Sequence, residues 1–238
     1  MTTVQIEKKN CKLIAHRGLS ALERENTCAA FVAAGVKSYF GIETDLHITK
    51  DGRFVLCHNE TTKQVAGEDL EIAQSTFDEI RALTLFDTDG KNKRKDLVIP
   101  TLEEYISVCK KYGKTAVLEF KAEMGESEIG KAVDILKKDG WIENTLFISF
   151  HKKNLEWLQK KFPKAKAQYL CNQFDDGWEY CKERGFDIDV YHKGLKEKQV
   201  QKAHEAGMKI NVWTVDRKQR AEELIGWGVD FVTTNILE

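Results

Sequence analysis

Short β-branched runs alternate with amphipathic stretches along the whole chain. Lys12 to Ala15 reads as a strand and Asn26 to Ala34 as the helix after it. Gly41 to Thr49 is a second strand, and Lys50-Asp51-Gly52 a tight turn into a hairpin partner, Phe54 to His58. A helix is predicted over Leu102 to Tyr112, opened by Pro100-Thr101 with Glu104 three residues on. Further strands fall at Thr115–Phe120, Thr145–Ser149, Ala165–Cys171, Phe186–Tyr191, Lys209–Thr214 and Asp230–Thr234. Helices lie between them, around Glu128–Lys138, Asn154–Phe162, Trp178–Arg184, Lys198–Ala206 and Arg217–Trp227. Gly140, Gly185, Gly207 and Gly228 stand where those helices must end.

Eight main strands, each separated from the next by a helical segment, are the pattern of a (β/α)8 TIM barrel. A doubly wound sheet would carry a Gly-rich fingerprint after its first strand, and the chain has none there. Residues 59–98 are too long for a βα loop and contain one short helix, Thr76 to Leu83. They read as a small insertion after the second strand, set over the barrel mouth within a single domain spanning residues 1–238. Val65, Leu70, Ile72, Phe77, Ile80, Leu83, Leu85 and Phe86 are expected to form its mini-core, with some left to touch a substrate.

Composition narrows the function classes. Lys+Arg 37 against Asp+Glu 38 leaves a net charge of −1, so no global field draws in nucleic acid or an anionic membrane. Pro100 and Pro163 are the only prolines, and nothing reads as an interdomain linker. The longest apolar run, Cys28 to Val36, is too short to span a bilayer, and MTTVQIEKKN has no apolar signal-peptide region. A cytoplasmic protein without membrane anchoring is expected, with six free thiols at Cys11, Cys28, Cys57, Cys109, Cys171 and Cys181. A homo-oligomer is compatible with this composition.

Candidate chemistry gathers at strand ends. His16-Arg17-Gly18 closes the first strand. Glu43 and Asp45, two apart on the second, point to one face, and Glu119 and Lys121 repeat that spacing on the third. Barrels keep their active sites at this end. Three carboxylates so close need a cation to stay ionised, and hard oxygen donors suit Ca²⁺ or Mg²⁺. The alternative is a salt-bridge network with Arg17 and Lys121. His16 and His58 flank the cluster and suggest an acid and base pair, with Arg17 and Lys121 holding an oxyanion such as phosphate. His47 reads as solvated near the turn, His151 as a helix cap, His204 as a helix-surface residue and His192 as a substrate contact.

His16-Arg17-Gly18, Glu25-Asn26-Thr27, Glu43-Thr44-Asp45 and His58 resemble the glycerophosphodiester phosphodiesterase family in order and spacing. The likeness continues through Pro100-Thr101-Leu102-Glu103-Glu104, Leu118-Glu119-Phe120-Lys121, Val212-Trp213-Thr214-Val215 and Thr233-Thr234-Asn235. It implies a TIM barrel with a divalent metal on Glu43, Asp45 and Glu119, and His16 and His58 as general acid and base. It also implies phosphate binding by Arg17 and Lys121, an apolar wall at Trp213, and Glu25 reaching the metal or a substrate hydroxyl. Asn59 and Asn235 stand where the family more often has Asp. Those departures bear on the orientation of catalytic groups and fine specificity, not on the reaction.

The resemblance implies hydrolysis of small soluble glycerophosphodiesters, such as glycerophosphocholine or glycerophosphoethanolamine, to glycerol 3-phosphate and an alcohol. A lysophospholipase D-like or phospholipase C-like activity on an acylated lipid is the alternative. A barrel kept only as a binding module is a third reading, opposed by the intact His16, His58, Glu43, Asp45 and Glu119.

Overall fold

Strand β1 (Lys12–Ala15) pairs in parallel with β9 (Phe231–Thr234) on one side and β2 (Gly41–Ile48) on the other. That double pairing closes the sheet in this computed structural model, which describes residues 2–238. Going round from β2, the strands are β4 (Thr115–Phe120), β5 (Thr145–Ser149), β6 (Lys166–Cys171), β7 (Asp187–Tyr191) and β8 (Ile210–Trp213). All eight run parallel, which makes the fold a (β/α)8 barrel. Strand β3 (Phe54–Leu56) lies outside the ring, antiparallel to the end of β2 with His47 opposite Val55.

Helices α1 (Cys28–Gly35), α4 (Leu102–Tyr112), α5 (Glu126–Lys138), α6 (Lys152–Lys161), α7 (Phe174–Arg184), α8 (Glu197–Glu205) and α9 (Lys218–Gly226) separate the barrel strands. Capping chemistry marks the start of α4. In α4, Thr101 Oγ1 accepts from the Glu104 N–H while the Glu104 carboxylate accepts from the Thr101 N–H. Helix α7 begins four residues before the predicted Trp178, with Gly177 inside it. A Cβ at Gly177 would stand 3.0 Å from Cys171 Sγ and 3.2 Å from Tyr169, so this glycine serves close helix–strand packing and is no breaker.

Alternation along the strands divides the core in two. Ile42, Leu46, Leu118, Phe147, Ile188 and Val212 face the helices in one large apolar cluster. Ile14, Val117, Leu146, Ile148, Leu170 and Phe231 cluster separately, at strand positions of the opposite parity that face the barrel axis. On that inward parity lie Glu43, Asp45 and Glu119, and with them Gln168, Asp189, Asn211 and Thr233, all buried.

Between β3 and α4 run α2 (Lys63–Ala66), which was not predicted from sequence, and α3 (Phe77–Arg81), inside the predicted Thr76–Leu83 helix and capped by Thr76. Val65, Ile72, Ile80, Leu83 and Leu85 pack with Val55 and Cys57 into one cluster, with Leu70 and Phe77 against it. Phe86 lies outside that cluster. Arg24, from the loop after β1, donates to the Phe86 and Asp87 carbonyls, and Arg94 ion-pairs with Glu23 at 2.8 Å. The segment is thereby tied to the barrel rim.

Candidate active site

Asp45 and Glu119 are register neighbours on β2 and β4, and Glu43 sits one inward position below Asp45. One carboxylate oxygen from each lies within 4.8 Å of the others, a group that can hold a metal ion. Burial, then the charges of Asp45 and Glu119, push the Glu43 carboxyl well above the usual carboxylate range. Burial, then Asp45, pushes Glu119 up to about 8. Burial also opposes ionisation of Asp45, but Lys121, Arg17 and an Asn26 hydrogen bond outweigh it and bring Asp45 down to about 2.

Three local devices hold the cluster. Arg17 and Gly18 both adopt positive φ, +54° and +77°, and turn the chain after β1 so that the Arg17 N–H donates to Glu43 Oε2 at 2.7 Å. A Cβ on Gly18 would meet Ala30 at 2.6–2.8 Å, so glycine is needed there for space as well as for dihedral angle. Asn26, also left-handed at +53°, donates from Nδ2 to Asp45 Oδ2 at 2.8 Å and accepts from Thr44 Oγ1 at 2.7 Å. Such strain in a buried non-glycine persists only where neighbours fix it, as they do here.

Both cations lean on the cluster. Lys121 Nζ stands 3.3 Å from Asp45 and 3.2 Å from Glu119 Oε1; Arg17 Nε stands 3.5 Å from Asp45, and its Nη1 meets Glu25 at 3.1 Å. The salt-bridge network and the carboxylate cluster thus coexist. Arg17 and Lys121 are the two cations set against the three clustered carboxylates and Glu25. Glu119 Oε1 and Arg17 Nε are buried without a well-directed hydrogen bond. Three buried hard oxygen donors and two carboxyls pushed up by burial and by their neighbours' charge fit a divalent cation on Glu43, Asp45 and Glu119.

His16 and His58 line the same pocket, of about 270 Å³. Each ring bonds through Nδ1 to an asparagine Oδ1 at 2.8 Å: His16 to Asn235 and His58 to Asn59. Burial, helped by Arg17, lowers His16 to about 4; burial is also the chief cause lowering His58, against the pull of Asp45. Ile148, Phe150, Leu170 and Trp213 line the pocket as well and give it an apolar side. Trp213 is fixed by its Nε1 donating to the Asp189 carbonyl at 3.3 Å and by Phe150 edge-on at 5.5 Å.

Glu43, Asp45, Glu119, His16, His58, Arg17, Lys121 and Trp213 are therefore brought together, while Glu25 sits at the edge, against Arg17. Asp189, on the pocket wall, was not foreseen. Its Oδ2 accepts from Asn211 Nδ2 at 3.1 Å, its Oδ1 is unpaired, and burial, then Glu119, pushes it well above the usual range. Asp187 and Asp189, two apart on one strand with Ile188 and Val190 between and after them, repeat the spacing of Glu43 and Asp45 and are the signal that could have found it. His47 is buried, not solvated, with its ring 3.5 Å from the His58 carbonyl. His151 occupies an N-cap position without a capping bond from its side chain. His192 faces a neighbouring cleft with Arg220 and Arg217. None of the inserted residues 59–98 lines the main pocket.

The profile of the glycerophosphoryl diester phosphodiesterase family matches residues 16–238. A glycerophosphodiester phosphodiesterase of Caldanaerobacter subterraneus is 28% identical over 229 residues, covering 94% of this chain and 93% of its own. An Oleispira antarctica phosphodiesterase, solved in complex with the product sn-glycerol-3-phosphate, is 26% identical and superposes with a TM-score of 0.88, covering 94% and 92% of the two chains. A Parabacteroides distasonis glycerophosphodiester phosphodiesterase is 29% identical, with a TM-score of 0.77 and coverage of 96% and 94%. Sequence, barrel and site together make this chain a member of the glycerophosphoryl diester phosphodiesterase family, a phosphoric diester hydrolase.

Proposed function

We propose that residues 1–238 act as one catalytic domain that hydrolyses glycerophosphodiesters, such as glycerophosphocholine or glycerophosphoethanolamine, to glycerol 3-phosphate and an alcohol. The observation that carries this reading is the convergence in one pocket of two Nδ1-anchored histidines, two cations and three carboxylates. Ca²⁺ or Mg²⁺ on Glu43, Asp45 and Glu119 supplies, when bound, the positive charge that keeps the carboxylates ionised and favours an anionic phosphoryl group.

Because each Nδ1 is engaged, Nε2 is the ring nitrogen left for the substrate. His16, lowered to about 4, is neutral near pH 7 and suited to be the base. Its Nε2 takes a proton from water as the water oxygen attacks phosphorus. His58 is suited to be the acid in its imidazolium form, which the ionised Asp45 favours: Nδ1–H stays on Asn59 Oδ1 while Nε2 gives its proton to the alcohol oxygen as the P–O bond breaks, leaving the neutral ring. Arg17 and Lys121 hold the non-bridging oxygens, where negative charge grows in the transition state. Trp213 walls the site on its apolar side. Glu25 holds Arg17 in place.

Phe150, 37% exposed beside Trp213, favours a second reading, in which an acylated phosphodiester lays its chain on this apolar side. Six unpaired cysteines support a cytoplasmic location. Among the described residues no helix is long and apolar enough to cross a membrane. The acid and base roles are tested with His16→Ala and His58→Ala on substrates of graded leaving group. A nitrophenyl ester should rescue His58→Ala, which lacks the acid, and not His16→Ala. Equal, small losses in both variants with every leaving group would overturn the histidine pair.

A further inference from the structure

His16 stands at the end of a hydrogen-bonded chain that begins outside the pocket. Asp216, exposed in the loop between β8 and α9, accepts three hydrogen bonds. Its Oδ1 accepts from the Asn235 backbone N–H at 2.8 Å and from Thr234 Oγ1 at 3.0 Å, and its Oδ2 from Asn235 Nδ2 at 2.6 Å. On the other side of the same amide, Asn235 Oδ1 stands 2.8 Å from His16 Nδ1 and accepts from Ser20 Oγ at 2.7 Å.

The direction of this chain follows from chemistry. A carboxylate offers only acceptors, so the Asn235 NH₂ must face Asp216 and its carbonyl oxygen must face His16. An amide oxygen offers only lone pairs, so the proton of neutral His16 must sit on Nδ1 and the free lone pair on Nε2. The corresponding chain at His58 ends differently. Asn59 Nδ2 donates to Gln64 Oε1 at 2.6 Å, and Gln64 is itself an amide that can turn over. Only the His16 chain ends in a charge that cannot reverse.

We propose that Asp216 is a positioning residue that sets the tautomer of His16 through Asn235. It does not line the pocket and touches no reacting atom; its effect is to keep Nε2 unprotonated toward the substrate. This rests on the reading of His16 as the base, and the tautomer and the activity are measured separately so that the two claims can fail separately.

Asp216→Asn changes one oxygen to NH₂ at nearly constant shape. The Asn235 backbone N–H requires an oxygen opposite it, so the new NH₂ must take the place of Oδ2 and face the Asn235 NH₂. Two donors cannot pair, and Asn235 must turn, presenting NH₂ to His16 Nδ1. The His16 proton then moves to Nε2, and the base loses its lone pair on the substrate side. An Asp→Asn change that inverts a histidine tautomer in the Ser-His-Asp triad costs about 10⁴ in turnover. Acting through one intervening amide, Asp216→Asn should lower kcat by about 10²–10⁴ with KM nearly unchanged.

The double variant Asp216→Asn/Asn235→Asp should recover most of that loss. The carboxylate introduced at position 235 would accept from both His16 Nδ1–H and the NH₂ introduced at position 216, while the amide oxygen at position 216 would still accept the backbone N–H. A purely structural role would instead make the two changes add. The direct readout is ¹⁵N NMR of ring-labelled histidine near pH 7 with Mg²⁺ present, the His16 signals assigned by their loss in His16→Ala. The expected result is a protonated Nδ1 in the parent, a protonated Nε2 in Asp216→Asn, and a return to Nδ1 in the double variant. An unchanged His16 tautomer in Asp216→Asn, or no return in the double variant, overturns the proposal. An inverted tautomer with full activity would uphold the relay and remove His16 from the role of base.

Discussion

Glu119→Gln should make the metal-free protein more stable while destroying its capacity to gain stability from a metal. Burial and the Asp45 charge raise the Glu119 carboxyl from 4.5 to about 8. Below pH about 4.5 both folded and unfolded chains hold the proton, and ionisation costs nothing. As pH rises toward 8, the unfolded chain releases that proton while the folded chain keeps it, so stability falls. Above about 8 both are ionised and the penalty is complete. Each unit of separation is worth about 1.4 kcal/mol, so the penalty reaches about 2 kcal/mol near pH 6 and is bounded at about 5 kcal/mol near pH 9. Glutamine, close in shape to the protonated acid, escapes it. In urea denaturation with excess chelator, Glu119→Gln should therefore exceed the parent, by more near pH 9 than near pH 6. With saturating Mg²⁺ or Ca²⁺ the order should invert, because only the parent gains RT ln(1 + [L]/Kd). A variant less stable than the parent in chelator at both pH values would refute the crowding of charge on which the metal site is argued.

Two further outcomes follow from the same geometry. Arg17→Lys keeps the charge but loses the planar fork toward Asp45 and Glu25, and should lower kcat/KM by about 10-fold or more across a substrate panel; steady-state kinetics at parent level on every substrate would make Arg17 structural. Ile72→Ala or Ile80→Ala, in the fully buried cluster that includes Cys57 beside His58, should cost about 2–5 kcal/mol in urea denaturation. Turnover should fall with stability while preference among head groups stays the same, since no residue of 59–98 lines the pocket.

The barrel was legible because a period of two, repeated eight times between amphipathic segments, leaves little else for the chain to form. The charged wall was legible for the same reason. Alternation puts Glu43 and Asp45 on one face, and strand order puts Glu119 beside them. Residues whose role depends on side-chain hydrogen bonding across sequence were not. Asn26 read as a helix start, although its left-handed backbone serves Asp45 and α1 begins at Cys28. Asn59 and Asn235 were visible as departures, but their bonds to the two histidines span 1 and 219 positions and only the fold shows them. The inserted segment was expected to touch substrate because of where such loops lie. Its expected mini-core is there, with all of the residues expected in it but Phe86 packed together against the end of β3, and none of them lines the pocket.

The central claim is that this pocket cleaves the glycerophosphodiester bond on the alcohol side. ³¹P NMR of glycerophosphocholine incubated with the protein and Mg²⁺ or Ca²⁺ reads this directly, because the two possible cuts leave phosphorus in different products. The account predicts conversion to glycerol 3-phosphate, abolished by chelator and reduced about 10²–10⁴-fold in His16→Ala. Phosphocholine as the product, or undiminished conversion in excess chelator, would contradict it.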